Sequence, residues 1–177
     1  MSSRRVPDLI DPVVMAARQQ QLEGVFELSE LSRIKASLAD GFGTVSFQLL
    51  FHRDRKTVVI SGDVDSVLQL QCQRCMQLMQ WPVHSNVSLA VVSSMDEADR
   101  LSDAYEPVLL TETKLPLKDI VEEELLLALP VIPQHTGDCP SYAEAMPGSE
   151  SALTASVDDD ERYQPFANLS ELIKRGE

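Results

Sequence analysis

Four side chains in this sequence have the chemistry to hold a metal ion: Cys72, Cys75, His135 and Cys139. Three thiolates and one neutral imidazole make a closed tetrahedral donor set suited to zinc. Cys72-Gln73-Arg74-Cys75 has the x2 spacing of a zinc knuckle, and three residues separate His135 from Cys139. The set uses all three cysteines of the chain and one of its three histidines. A structural zinc here would tie two distant segments together, and such sites contribute an apparent ~10–16 kcal/mol to folding. Two other readings compete. The three cysteines could stay reduced in polar loops that never meet, with the C-x-x-C merely turning a hairpin. The pair could also run thiol–disulfide exchange, but reactive pairs of that kind sit at a helix N-terminus. Strand-like sequence flanks Cys72 on both sides, and Arg74 alone would stabilise a thiolate.

Little else converges on chemistry. There is no Gly-rich phosphate loop and no G-x-S-x-G elbow, and no nucleophile, base and oxyanion donor fall together. The expectation is a protein that is not an enzyme and takes no small-molecule substrate. His52 and His84 fall within strand patterns, where a hydrogen-bonded structural role is expected.

Charge bounds the partners. The chain has 177 residues and a net charge of −13, from 15 Lys/Arg against 28 Asp/Glu. Residues 1–60 are balanced, with eight basic and seven acidic side chains, whereas the remainder has seven against twenty-one. Nucleic-acid binding depends on neutralising phosphates, so RNA contact would need a local patch. The candidates for RNA or partner contact are Arg53, Arg55 and Lys56 in the run His52–Lys56, together with Arg74. The N-terminal stretch MSSRRVPDLIDPVV has no apolar segment of the signal-peptide kind. The longest apolar run, LLLALPVIP at 125–133, is too short to span a bilayer. A soluble cytoplasmic protein with no membrane partner is expected.

The elements that must position the four donors follow from periodicity. Asp11-Pro12 opens a short helix, since Asp caps free N–H groups and Pro fits the first turn. LEGVFEL reads as a strand, and Ser29 opens a second helix with Leu31, Ile34 and Leu38 on one face. From Thr44 the period changes to two: TVSFQLLF, TVVISGDV, SVLQLQC and the segment Trp81 to Val92 all favour extended structure. Runs this close leave no room for crossover helices and imply antiparallel hairpins. The C-x-x-C then lies where the third of these strands turns into the fourth, which Pro82 interrupts. Residues 93–106 read as a loop and EPVLL as a further strand. PLKDIVEEELLLAL is a helix with Leu117, Ile120, Val121, Leu125 and Ala128 on its apolar stripe, and Asp119, Glu122 and Glu123 facing solvent.

These patterns specify an α+β fold: an antiparallel hairpin meander, barrel-like in one version, packed with a few helices. Residues 1–139 form its single domain. Residues 140–164 are polar and acidic, a flexible linker. Residues 165–177 form a short helix that is docked or partner-binding, with Phe166, Leu169, Leu172 and Ile173 on its apolar face.

The order GDV, L-x-C-x-R-C, DAYEPV, VEEELLLALPVIPQH followed by Cys139, and PFANLSELIKR resembles the YceD family of bacterial large ribosomal RNA subunit accumulation proteins. The resemblance covers nearly the whole chain. It implies a non-catalytic factor in ribosome biogenesis that supports synthesis, processing or stability of the large-subunit (23S) ribosomal RNA. For a chain this acidic, the expected partner is a basic ribosomal protein or a pre-large-subunit particle, because opposite charge speeds and orients encounter. The alternatives are a direct ribosomal-RNA-binding module with a zinc-ribbon-like knuckle, and a thiol-redox protein.

Overall fold

The computed structural model describes residues 6–140. Beyond Pro140, the expected linker and the helix at 165–177 lie outside the described residues. The helix opened by Asp11-Pro12 is present as α1, Pro12–Ala17, and the Asp11 carboxylate accepts from the Val14 N–H at 2.9 Å. Just before it, β1 (Leu9–Ile10) pairs antiparallel with β7 (Leu115–Pro116). The main sheet has five strands: β2 (Gln21–Glu27), β3 (Thr44–Asp54), β4 (Thr57–Gln71), β5 (Leu78–Val92) and β6 (Glu106–Leu109), in that spatial order. The class is α+β, but the sheet is open, with β2 and β6 as its edges, so the barrel-like version is wrong.

The meander holds from β2 to β5 and fails at β6, which runs parallel to β5. A parallel return needs a crossover of about a dozen residues, and residues 93–105 supply it. That stretch is not plain loop. It contains a short helix, α2 (Met95–Ala98), in which the Ser94 hydroxyl accepts from the Glu97 N–H.

TVVISGDV and the SVLQLQ part of SVLQLQC form one continuous strand, β4, rather than two, with Cys72 just past its end. Asp65 points to solvent between inward Val64 and Ser66, so a charged residue at that register breaks nothing. Gly62, at φ +155°, lies so close to β3 that a Cβ there would collide with the Gln48 carbonyl oxygen, so the strand passes this point only with glycine. Pro82 also stays within its strand. It pairs with Val67 on one side, and β6 reaches only Leu89–Val92 on the other. That part of β5 is therefore an edge, where proline is tolerated.

One face of the sheet carries the core. Val45, Phe47, Leu49 and Phe51 of β3 meet Val64, Leu68 and Leu70 of β4 and Val83 and Val87 of β5. Over them lies α3, Leu117–Leu127, with Leu117, Ile120, Val121 and Leu125 buried. The helix expected from Ser29 is instead two single 3-10 turns, Leu28–Glu30 and Ile34–Ser37. Leu28, Leu31 and Ile34 repeat every three residues, which suits the 3-10 period, and all three are buried.

A carboxylate on α3 explains why that segment restarts. Glu122 was expected to face solvent, yet it is 3% exposed. It accepts from the backbone N–H of Arg33 at 2.6 Å and of Ile34 at 3.0 Å, capping the second 3-10 turn from another element. Glu124 is also buried and accepts from the Ser85 hydroxyl at 2.6 Å. Asp119 and Glu123 are exposed as expected, with Glu123 paired to Arg33 at 2.6 Å.

Two outcomes follow. Glu122→Ala leaves two N–H groups without an acceptor and should lower unfolding stability by about 3 kcal/mol, with Glu122→Gln losing less. Urea unfolding at neutral pH checks this, and an unchanged midpoint for Glu122→Ala would refute it. For Glu124, burial raises the pKa above its ordinary 4.5 despite the opposing Ser85 hydrogen bond. The folded protein therefore keeps this proton to higher pH than the unfolded chain does. Stability contributed by Glu124 falls as pH rises from 4.5 through the raised value. Glu124→Gln should accordingly be more stable than the unchanged protein at neutral pH, with the advantage disappearing below the ordinary carboxylate range. Urea midpoints across an acid-to-neutral pH series test the sign.

Candidate metal centre

The turn between β4 and β5 builds the first half of the cluster. Its base is closed by Cys72 N–H donating to the Gln77 carbonyl at 2.9 Å, and Met76 N–H donates to the Cys72 carbonyl at 2.8 Å. Met76 takes φ +61°, an uncommon left-handed conformation that lets the chain reverse within this turn. Cys72 and Cys75 both end up buried. The second half comes from the segment after α3. The helix stops at Leu127 ahead of Pro130, and the chain then runs back along the sheet end. There the Pro133 carbonyl accepts from Gln73 N–H at 2.8 Å, and the Ala128 carbonyl from the Trp81 indole at 3.3 Å.

These contacts bring all four predicted donors together. One ligand atom from each of Cys72, Cys75, His135 and Cys139 lies within 4.8 Å of every other. A tetrahedral zinc with ordinary bond lengths requires S···S of about 3.8 Å and S···N of about 3.6 Å. Cys72 Sγ and Cys139 Sγ are 3.9 Å apart, and Cys75 Sγ and His135 Nδ1 are 3.5 Å apart. The donor set fits one metal ion and, being four protein ligands, leaves no open position for substrate chemistry.

Electrostatics point the same way. Burial opposes ionisation of Cys72, but the backbone N–H groups of Cys75, His135 and Arg74 turn toward its sulfur and bring the thiol down to about 5. Burial likewise opposes ionisation of Cys139, and the Arg74 guanidinium and His135 more than offset it. Cys75 goes the other way. The Gln77 N–H favours its thiolate, but burial and the neighbouring Cys139 and Cys72 sulfurs push it up. His135 is raised by its contacts with Cys139 and Cys72. Three sulfurs this close resist ionising together, and a divalent cation among them removes that conflict, since a coordinating thiol is deprotonated outright.

The thiol-redox reading keeps one point in its favour, the lowered Cys72 thiol, but Cys72 and Cys75 lie on a strand-to-strand turn and not at the helix N-terminus usual for reactive pairs. The four RNA or partner-contact candidates do not form one patch. Arg53, Arg55 and Lys56 are exposed at the β3–β4 hairpin tip. Arg74 is just past the far end of β4, whose 15 residues make 14 steps of about 3.3 Å and so span about 45 Å. Arg74 is engaged at the cluster instead: its Nε donates to Cys139 Sγ at 2.9 Å and its Nη2 to the Gly137 carbonyl. The sequence signal for that role is a cation inside the knuckle, Arg74 between Cys72 and Cys75. His84 is an exposed surface residue bonded to Asp65 at 2.7 Å, while the buried Nδ1 of His52 has no partner among the described residues.

Comparison with known proteins gives two findings. The family described as "Large ribosomal RNA subunit accumulation protein YceD" matches residues 60–173, a stretch that includes all four donors. The protein named "Large ribosomal RNA subunit accumulation protein YceD" from Haemophilus influenzae is 31% identical over 177 residues, covering 99% of this chain and 100% of the relative. No solved structure matches the chain.

Proposed function

The chain belongs to the YceD family, and from that membership we propose that it is a non-catalytic cytoplasmic factor supporting accumulation of the large-subunit ribosomal RNA. It acts by binding a basic ribosomal protein or a pre-large-subunit particle, with no chemistry of its own. The observation that carries the partner's sign is the face of the sheet opposite the core. In register there, Glu23 of β2 stands beside Gln48 and then Asp63, and Asp65 follows on the next row. Glu23, Glu27 and Asp65 are exposed and Asp63 is half-buried. The cation on these rows, His84, is already paired to Asp65. Such a face repels phosphate and attracts Lys and Arg. Direct RNA binding has less support, because Arg74 is held at the metal cluster and the Arg53–Lys56 tip stands alone. No helix among the described residues is long and apolar enough to cross a membrane.

The cluster serves this reading as architecture. Cys72, Cys75, His135 and Cys139 hold one structural zinc, which joins the end of the β4–β5 hairpin to the segment after α3.

Both parts have direct tests. Protein purified under reducing conditions should contain one equivalent of zinc by elemental analysis, and Cys72→Ser should contain far less. Zinc absent from the unchanged protein, or equal in both, would sink the metal assignment. For the partner, tagged protein at low salt should retain pre-large-subunit particles, identified by their ribosomal RNA and proteins, or bind a purified basic ribosomal protein. Retention should drop several-fold in the combined Glu23→Gln, Asp63→Asn, Asp65→Asn variant and with added salt. Retention unaffected by those substitutions would remove this face as the contact, and binding to naked RNA alone would favour the other reading.

A further inference from the structure

A half-buried guanidinium sits between the two knuckle cysteines in sequence and reaches the opposite half of the cluster in space. Arg74 donates through Nε to Cys139 Sγ at 2.9 Å and through Nη2 to the Gly137 carbonyl. Neither group belongs to the knuckle. One arginine therefore braces the sulfur that arrives last in the chain and the loop that delivers it. Cys139 needs such a brace more than the other thiols. Cys72 and Cys75 are buried and fixed by the closed turn, whereas Cys139 is only half-buried and follows the exposed residues Thr136–Asp138.

The charge count gives this contact a second role. A divalent ion with three thiolates and a neutral imidazole carries one net negative charge, left partly out of water. Arg74 supplies one positive charge in direct contact with a ligand sulfur. Hydrogen bonds to the outer side of ligands orient them and tune the metal they hold. A permanently charged, planar donor that makes two directed bonds from one group suits this task better than an ammonium does.

We propose that Arg74 is the outer-sphere positioning residue of this metal centre, aiming Cys139 and neutralising the charge of a three-thiolate, one-imidazole site. This rests on the zinc assignment above. It removes Arg74 from the surface available to RNA phosphates and limits the fitting ions to thiophilic divalent ones, since hard cations prefer oxygen ligands.

The test uses the full-length protein and three variants, Arg74→Gln, Arg74→Lys and Cys139→Ser, each checked for folding by circular dichroism. Zinc affinity is measured by competition with a chromogenic chelator, and cobalt(II) substitution reports the number of thiolate ligands from its charge-transfer absorption. Arg74→Gln should bind zinc about 10- to 100-fold more weakly and release it faster. Its cobalt spectrum should move toward that of Cys139→Ser, because the unbraced sulfur is the one expected to leave. Arg74→Lys should recover part of the affinity through charge while keeping the faster release. A folded Arg74→Gln with unchanged affinity, release rate and cobalt spectrum would overturn the proposal. Absence of zinc and cobalt binding in the unchanged protein would instead overturn the metal assignment on which it rests, so the two failures are distinguishable.

Discussion

Three sulfurs and an imidazole nitrogen, none more than 4.8 Å from another, fix where the segment after α3 meets the end of the β4–β5 hairpin. Burial of leucines is non-directional, so the Leu117–Leu125 stripe could lie across the sheet at several angles with similar area covered. Directional contacts choose among them. At the start of α3, β7 pairs with β1 and the Leu117 N–H donates to the Asp8 carbonyl at 3.0 Å. At its end, the Ala128 and Pro133 carbonyls take bonds from Trp81 and Gln73, and His135 and Cys139 close on the knuckle. The helix is thus held at both ends by groups that tolerate little displacement.

Between those ends, two buried carboxylates do related work by a different means. A carboxylate in a core is costly unless it is hydrogen-bonded, and each of these makes its bonds to an element that must lie at one place. Glu122 takes the N–H groups of Arg33 and Ile34, so the 3-10 turn beneath α3 cannot slide without orphaning both. Glu124 takes the Ser85 hydroxyl and so ties α3 to β5. Glu124 is the less well compensated of the two, with one neutral donor and a pKa raised chiefly by burial. Specificity of arrangement, rather than stability, is the reason such a group is retained in this reading.

How much of this was legible in the sequence varies by element, and the reason is physical in each case. The four donors could be found because ligand chemistry restricts residue type and the knuckle restricts spacing; their convergence stayed one reading among three, because the two halves are 60 or more positions apart in sequence. The strands of the meander were legible from alternation. Their fusion into a single β4 was hidden by Asp65, since a charge on the solvent face looks like a break until register is known. Parallel β6 was hidden because direction is not written in a four-residue strand. The α2 helix had a readable signal, Ser94-Met95-Asp96-Glu97, the S-x-x-E pattern of a capped start. Buried Glu122 had none: three acidic residues in a row look like a solvated face, and only the N–H groups waiting across the interface explain why one turns inward.

The charge display and the three-cysteine, one-histidine cluster are built from separable parts. Glu23, Asp63 and Asp65 sit on β2 and β4, whose register is fixed by pairing to β3 and by the close approach at Gly62. None of that pairing passes through the cysteines. The cluster governs the far end of the β4–β5 hairpin and the segment after α3, while the basic hairpin tip at Arg55 and Lys56 lies about 45 Å away at the other end of β4. A partner that reads the acidic face therefore meets a surface set by strand register alone. A partner that reads the 128–139 segment, where Val131 and Ile132 are exposed, meets one set by the cluster. Dependence on the cysteines is consequently what separates the two modes of engagement, since strand register leaves the first unchanged and ligand geometry controls the second.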